Sequence, residues 1–266
     1  MKSVIACVVG VLAVSGAAVA QPDVNSAKLN TRIWNDFGGS TLTTTNSYPS
    51  IVQFNDSIPV DTSGYANRHN FRLSTDGGAT NAQFVNGDKF SIFANVTLSG
   101  GGQGEGGLQL SPWWSPDTDG TFNLRTTDGE VACFGGRLPF YSFTASQGVT
   151  YVKGQTVRCG IEYMPNGLSM ASPGQIRYTY DLGADGIGVL SSGWLNFDQG
   201  NAGEDPPHGL WGILNPAYVG GSTVVFGAAS QGQSFVGTFE NISYIPAPGA
   251  MSLLGLGGLL AARRRR

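Results

Sequence analysis

The chain has 266 residues, 41% hydrophobic and only 12% charged, with 40 glycines and a formal charge of −3. That much apolar material excludes wholesale disorder, and so much glycine with so few charges excludes long amphipathic helices and coiled coils. The length fits one large all-β domain or two small ones.

Residues 1–20 open with Met1-Lys2, continue with an apolar run from Val4 to Val14 and close on Ala18-Val19-Ala20. This is the basic, apolar and small-residue order of a secretory signal peptide, here a signal helix, with cleavage expected before Gln21. Beyond it the dominant period is two, the mark of strands with one buried face. Arg32 to Phe37 is the first strand candidate, Ser40 to Pro59 reads as a long polar surface loop, and Asn70 to Ser74 follows. Lys89 to Ser99 is the clearest case, because Phe90, Ile92, Ala94, Val96 and Leu98 share one side. Further candidates are Leu108 to Leu110, Phe122 to Arg125, Val131 to Phe134, Phe140 to Phe143, Val157 to Tyr163, Ile176 to Tyr180, Leu195 to Phe197, Leu210 to Leu214, Thr223 to Ala228 and Phe235 to Ile245. Turn pairs such as Asn86-Gly87, Asp128-Gly129 and Asn166-Gly167 separate them. No segment offers a helix, so residues 21–245 are expected to form a single all-β domain, a two-sheet antiparallel jelly-roll sandwich.

The end of the chain, residues 246–266, is as patterned as its start. Pro246-Ala247-Pro248-Gly249 precedes an apolar run from Ala250 to Ala262, and Arg263, Arg264, Arg265 and Arg266 close it. The run is shorter than the ~20 residues that cross a bilayer comfortably, and the arginines would hold it at the cytoplasmic face. This order resembles the PEP-CTERM sorting tail of bacterial surface proteins, with Ala247 where a glutamate is usual. The resemblance implies the export machinery and an exosortase-like enzyme as partners. It also implies transient anchoring in the inner membrane, and a mature protein released or attached at the cell surface.

Residues 21–245 hold ten of the fifteen basic residues and all eighteen acidic ones, a formal charge of −8. Nucleic acid is therefore excluded as a partner, since phosphate binding rests on basic patches. Cys133 and Cys159 are left once Cys7 departs with the signal peptide. Export favours a disulfide between them, and two buried free thiols are the other reading.

Sugars stack on exposed aromatic rings, so the neighbours Trp113 and Trp114, stiffened by Pro112 and Pro116, and Trp211 are the candidate carbohydrate-binding residues. Trp34 and Trp194 read as ordinary core. Asp117 and Asp119 sit in a short acidic, glycine-bearing loop of the kind that takes calcium, the one candidate cofactor. Glycoside hydrolysis needs two carboxylates, and Asp128 with Glu130 or Glu204 with Asp205 have only their spacing to support them. With His69 and His208 alone, no histidine metal cluster is possible, and no nucleophile elbow marks a hydrolase triad.

The strand pattern, the glycine-rich Gly100 to Gly107 loop and the final strand from Gly237 to Tyr244 look like the concanavalin A-like lectin and glucanase sandwich. That resemblance implies carbohydrate binding in many members and glycoside cleavage in some. The acidic motifs of its catalytic glucanases, Glu-x-Asp-x-x-Glu and Glu-x-Asp-x-Glu, do not occur. The expectation is a non-enzymatic surface or matrix protein that binds polysaccharide, with a secreted glycan-active hydrolase as the alternative.

Overall fold

The computed structural model describes residues 21–60, 64–112, 120–199 and 211–246, and the side chains of 111 and 112 are not described. Among the described residues, fourteen strands form two antiparallel sheets. The first sheet is built from β1 (Ser26–Asn35), β4 (Ala66–Ser74), β13 (Ala217–Phe226), β6 (Gln103–Pro112), β7 (Gly120–Arg125), β8 (Val131–Phe134) and β9 (Tyr141–Ser142), in that spatial order. The second runs β12 (Leu190–Asn196), β11 (Gln175–Asp181), β10 (Thr156–Met164), β5 (Phe90–Ser99), β14 (Ser234–Pro246), β3 (Ile51–Ser57) and β2 (Thr41–Ser47). Neighbours far apart in sequence, such as β4 beside β13 and β5 beside β14, make this the expected antiparallel jelly-roll sandwich.

Period-two sequence becomes a core because each strand turns alternate residues into the space between the sheets. In β5, Phe90, Ile92, Ala94, Val96 and Leu98 are buried while Ser91, Phe93, Asn95 and Thr97 face outward. Aromatic rings fill much of the gap. Phe71 meets Phe239 edge-on at 5.1 Å between centroids, and Phe122 stacks on Phe143 at 5.5 Å. Among the described residues no helix is long and apolar enough to cross a membrane.

Several expectations need correction. Ser40 to Pro59 is not a loop: it contains β2 and β3, joined through Tyr48-Pro49-Ser50. β2 pairs only with β3 and exposes its threonines, so it lacks the apolar alternation that marks a strand. Residues 211–214 form a turn rather than a strand, and Phe143 starts a short helix, α1 (Phe143–Gln147), capped by the Ser142 hydroxyl, which accepts from the Ala145 N–H at 3.0 Å. Trp194 is not core. It lies on the outer face of the second sheet beneath the Arg177 guanidinium, 4.7 Å from the ring centre, and Arg177 also grips Glu162 through two hydrogen bonds.

Cys133 and Cys159 are both free and fully buried, so the expected bridge is not made. Both thiols point into the core as their strand faces require, but β8 and β10 belong to different sheets and are not neighbours. Packed sheets lie about 10 Å apart, whereas a disulfide needs Cα atoms within about 7 Å. Burial pushes both thiols well above the ordinary cysteine range, with the Cys159 charge adding to the effect on Cys133.

Candidate binding groove on the outer face of the first sheet

The two faces of β4 divide the labour of the molecule. Asn67, His69, Phe71 and Leu73 point into the core, and Arg68, Asn70 and Arg72 point outward, yet every residue of the strand is buried. On the inner side, the His69 ring stacks on Phe54 at 5.8 Å, and its Nε2 donates to Asp56 Oδ2 at 3.0 Å. Asn67 donates to the same carboxylate oxygen at 2.8 Å. The His69 Nδ1 accepts the Arg32 backbone N–H at 2.9 Å. An Nδ1 that accepts fixes the proton on Nε2. Burial raises the Asp56 carboxyl, but hydrogen bonds from His69, Asn67 and Ser40 outweigh it and hold the group below the usual carboxylate range.

This buried cluster shapes the outer face. The bond from His69 pins a bulge in β1 between Asn30 and Trp34, where Arg32 adopts φ 55°, and beyond the bulge Trp34 pairs with Arg68. Trp34 is therefore not the core residue expected. It stands half-buried at the edge of the outer face, with the Arg68 guanidinium 4.9 Å from its ring centre. The interruption of period two at Arg32 is the only sequence sign of this, and it does not reveal which way the ring turns.

The strand register lays out the outer face in rows. One row runs Lys28, Arg72, Gly220, Gln109 and Thr121 across β1, β4, β13, β6 and β7, with Phe134 of β8 beside Thr121. The next runs Asn30, Asn70, Ser222, Gly107 and Asn123, and the third Trp34, Arg68, Val224, Glu105 and Arg125. Small residues in the middle row leave a depression flanked by large side chains. A methyl group at Gly107 would collide with the Phe122 carbonyl oxygen, so this floor cannot be raised there without moving the backbone. With strands spaced about 4.8 Å apart, the depression from β4 to β8 is about 19 Å long.

Its chemistry changes along its length. At one end Arg72 lies with its guanidinium 4.4 Å from the centre of the Tyr218 ring. Burial lowers the Arg72 pKa from its ordinary value, with the Tyr218 phenol acting in the opposite sense. Gln109, across Gly220 from Arg72 in the same row, is fully buried, and neither its Nε2 nor its Oε1 has a partner. Asn70 is equally buried and its Nδ2 is also unpartnered, although its Oδ1 accepts from Asn30 at 3.0 Å. A buried amide without a partner costs about 1–3 kcal/mol. Two of them lie on this one face of the sheet. Alongside, across the second and third rows, is a cavity of about 350 Å³ that reaches from Trp34 to Phe134, with Arg68, Glu105, Asn123 and Ser222 on its walls.

Of the residues singled out from sequence, Trp113, Trp114, Asp117 and Asp119 lie outside the described residues, as do Pro248 and Arg263 to Arg266. Pro246 is the exposed last residue of β14. Trp211 is half-buried in a turn with φ 63°, its carbonyl accepting the Gly174 N–H, and it does not line the cavity. Asp128 and Glu130 are both bound by Arg125, which makes them an ion-pair cluster. Among the described residues no three acidic, histidine or cysteine side chains converge as a metal site. Arg68, Asn70, Arg72, Gln109 and Tyr218 were not anticipated, because only strand pairing brings them together.

No family model matches the chain, and no curated protein is detectably similar in sequence. The fold itself is shared. The alginate lyase from Klebsiella pneumoniae superposes with a TM-score of 0.51 at 10% identity, over 84% of this chain and 95% of that one. An alginate lyase from Corynebacterium sp. gives 0.48 at 12% identity, covering 85% and 96%. Lectin II from Ulex europaeus gives 0.42 at 10%, covering 84% and 94%. The likeness to the Klebsiella enzyme shows a shared two-sheet antiparallel sandwich fold.

Proposed function

We propose that the protein is an exported, cell-surface glycan-binding protein that holds a carboxylate-bearing polysaccharide across the outer face of its first sheet. The observation that carries this reading is the unpartnered Gln109 amide in the same row as Arg72, across Gly220 from it. A sugar carboxylate would accept from the guanidinium and the amide, and neighbouring hydroxyls would meet Asn70, in charge-assisted bonds that are stronger than neutral ones. Lys28 adds a second cation in the same row. Alginate, named for the fold neighbour from Klebsiella, is a polymer of this kind.

Binding is favoured over catalysis by what lines the depression. The His69 imidazole is committed to the core, and Glu105 is the one carboxylate among the described lining residues, whereas hydrolysis of a glycoside employs two. Titration of the full chain with uronic-acid oligomers and with neutral oligomers of equal length tests the reading. Acidic oligomers should bind, and Arg72→Ala should weaken them at least tenfold. Equal binding of both sets, or release of unsaturated products from the acidic set, would overturn it.

Export rests on the two termini. It predicts a mature N-terminus at Gln21 and loss of Arg263 to Arg266, read by mass spectrometry of surface material. An intact tetra-arginine end on such material would defeat the sorting-tail reading.

A further inference from the structure

The four edge strands of the two sheets are not alike, and from the difference we propose that β2 pairs antiparallel with β2 of a second copy of this chain, joining the two second sheets into one. An open edge offers a row of unpaired backbone groups, and proteins blunt such edges with charge, with a bulge or by keeping the strand short. β1 carries Lys28 and the bulge at Arg32. β9 is two residues long. β12 is interrupted where Ser192 and Gly193 together oppose Tyr178 of β11, with Gly193 at φ 69°. β2 has none of these devices. Its residues, Thr41-Leu42-Thr43-Thr44-Thr45-Asn46-Ser47, include no charge, proline or glycine, all but Leu42 are exposed, and their register with β3 is unbroken. Among the described residues no strand pairs with its other side.

The backbone fixes how the pairing runs. Even-numbered residues along β3 bond toward β14, as the Ile58 N–H to the Gln233 carbonyl and the Asn241 N–H to the Ser50 carbonyl show at its two ends. The odd-numbered ones therefore bond to Thr41, Thr43, Thr45 and Ser47, which leaves the N–H and C=O groups of Leu42, Thr44 and Asn46 directed away from the sheet. A two-fold axis through Thr44, perpendicular to the sheet, sets Thr44 against its own copy and Leu42 against Asn46 of the second copy. Every one of those outward groups then has a partner. On the outer face Thr43 meets Thr45 and Thr41 meets Ser47, hydroxyl pairs of the kind that stabilise antiparallel strands. An unrelated extended peptide would be selected by side-chain pockets, but beside β2 the outer face carries the polar row Gln53, Asn55 and Ser57 instead. A second copy matches the strand at each position. The pairing does not rest on the glycan-binding reading, although it bears on it: the axis puts both first sheets on one side of the joined sheet, so two grooves face the same way and a long polysaccharide can engage both.

Sedimentation equilibrium of the full chain should show monomer and dimer in exchange. The dimer should be tighter at about 0.1 M salt than at about 10 mM, because residues 21–245 carry −8 in each copy while β2 itself carries no charge. Thr43→Lys with Thr45→Lys sets amine against amine at both of those outer pairs and should weaken the dimer at least tenfold. Thr43→Lys with Thr45→Glu sets amine against carboxylate at the same pairs and should bring it back to the parent's strength or beyond. Both positions are exposed, and unchanged melting curves should show that each monomer stays folded. Thr44→Cys in a Cys7→Ser chain should give a covalent dimer under mild oxidant, since residues that exchange both backbone bonds lie about 5.5 Å apart at Cα, within disulfide reach. Cys133 and Cys159 are buried and do not compete. A chain that stays monomeric at every concentration, a dimer that both double variants weaken alike or that neither alters, or failure of the covalent dimer to form overturns the pairing and leaves the groove standing.

Discussion

Gln109→Leu should make the protein more stable and worse at binding, two effects that only an unpartnered amide couples in that sense. Gln109 is fully buried, and both its donor and its acceptor lack partners. Leucine is of similar size and removes the orphaned groups, so the folded state should gain about 1–3 kcal/mol. In a chain of this length each kcal/mol moves the melting temperature by about 2–4 °C. The melting point should therefore rise by roughly 2 to 12 °C, measured by calorimetry and checked by urea titration with an unchanged slope. In parallel, affinity for a uronic-acid oligomer should fall about tenfold or more, the worth of one bond to a charged acceptor. A variant that melts lower would show that the amide is satisfied in the free protein, and the reasoning that a ligand completes this face would fail.

Two further outcomes follow from the core. Because the Asp56 carboxyl is held below its unfolded value, it contributes stability that is fully present above about pH 4 and lost as pH falls through the lower folded value. Asp56→Asn should cost about 2–3 kcal/mol at pH 7, and its difference from the parent should shrink below pH 4 in urea titrations; a gap that stays constant to pH 2 would assign the loss to shape rather than charge. The Cys133 and Cys159 thiols should resist alkylation in the native protein and react in denaturant, and a non-reducing peptide map that recovers them linked would contradict the two-sheet separation.

Sequence reveals the sandwich because burial on one face writes itself as period two, and Phe90 to Ser99 is legible without any structure. It hides β2, whose outward threonines bury nothing, and it hides the direction of Trp34, which depends on a bulge fixed by His69 from another strand. The binding face is less legible still. Arg68 and Arg72 sit two periods of the pleat apart in β4, with Asn70 between them, but Gln109 and Tyr218 join that face only because β13 lies between β4 and β6. Exposed tryptophans and paired carboxylates are signals within single segments, whereas this face is assembled across six strands.

A cationic groove on an acidic body gives the binding reaction an unusual response to salt. Residues 21–245 carry −8, yet Lys28, Arg68 and Arg72 cluster on one face. At 10 mM salt the screening length is about 30 Å, so a polyanion in the groove feels the acidic residues of the whole body. At 0.1 M it is about 10 Å, shorter than the ~19 Å groove, and the repulsion from distant carboxylates is lost while the contact with Arg72 survives. Near 1 M, at about 3 Å, the contact itself is screened. Affinity for a uronic-acid oligomer should therefore rise between 10 mM and 0.1 M salt and fall by 1 M. Affinity that only falls across this range would mean that the ligand meets a surface whose local positive charge dominates at every distance, and the groove on the first sheet would not be that surface.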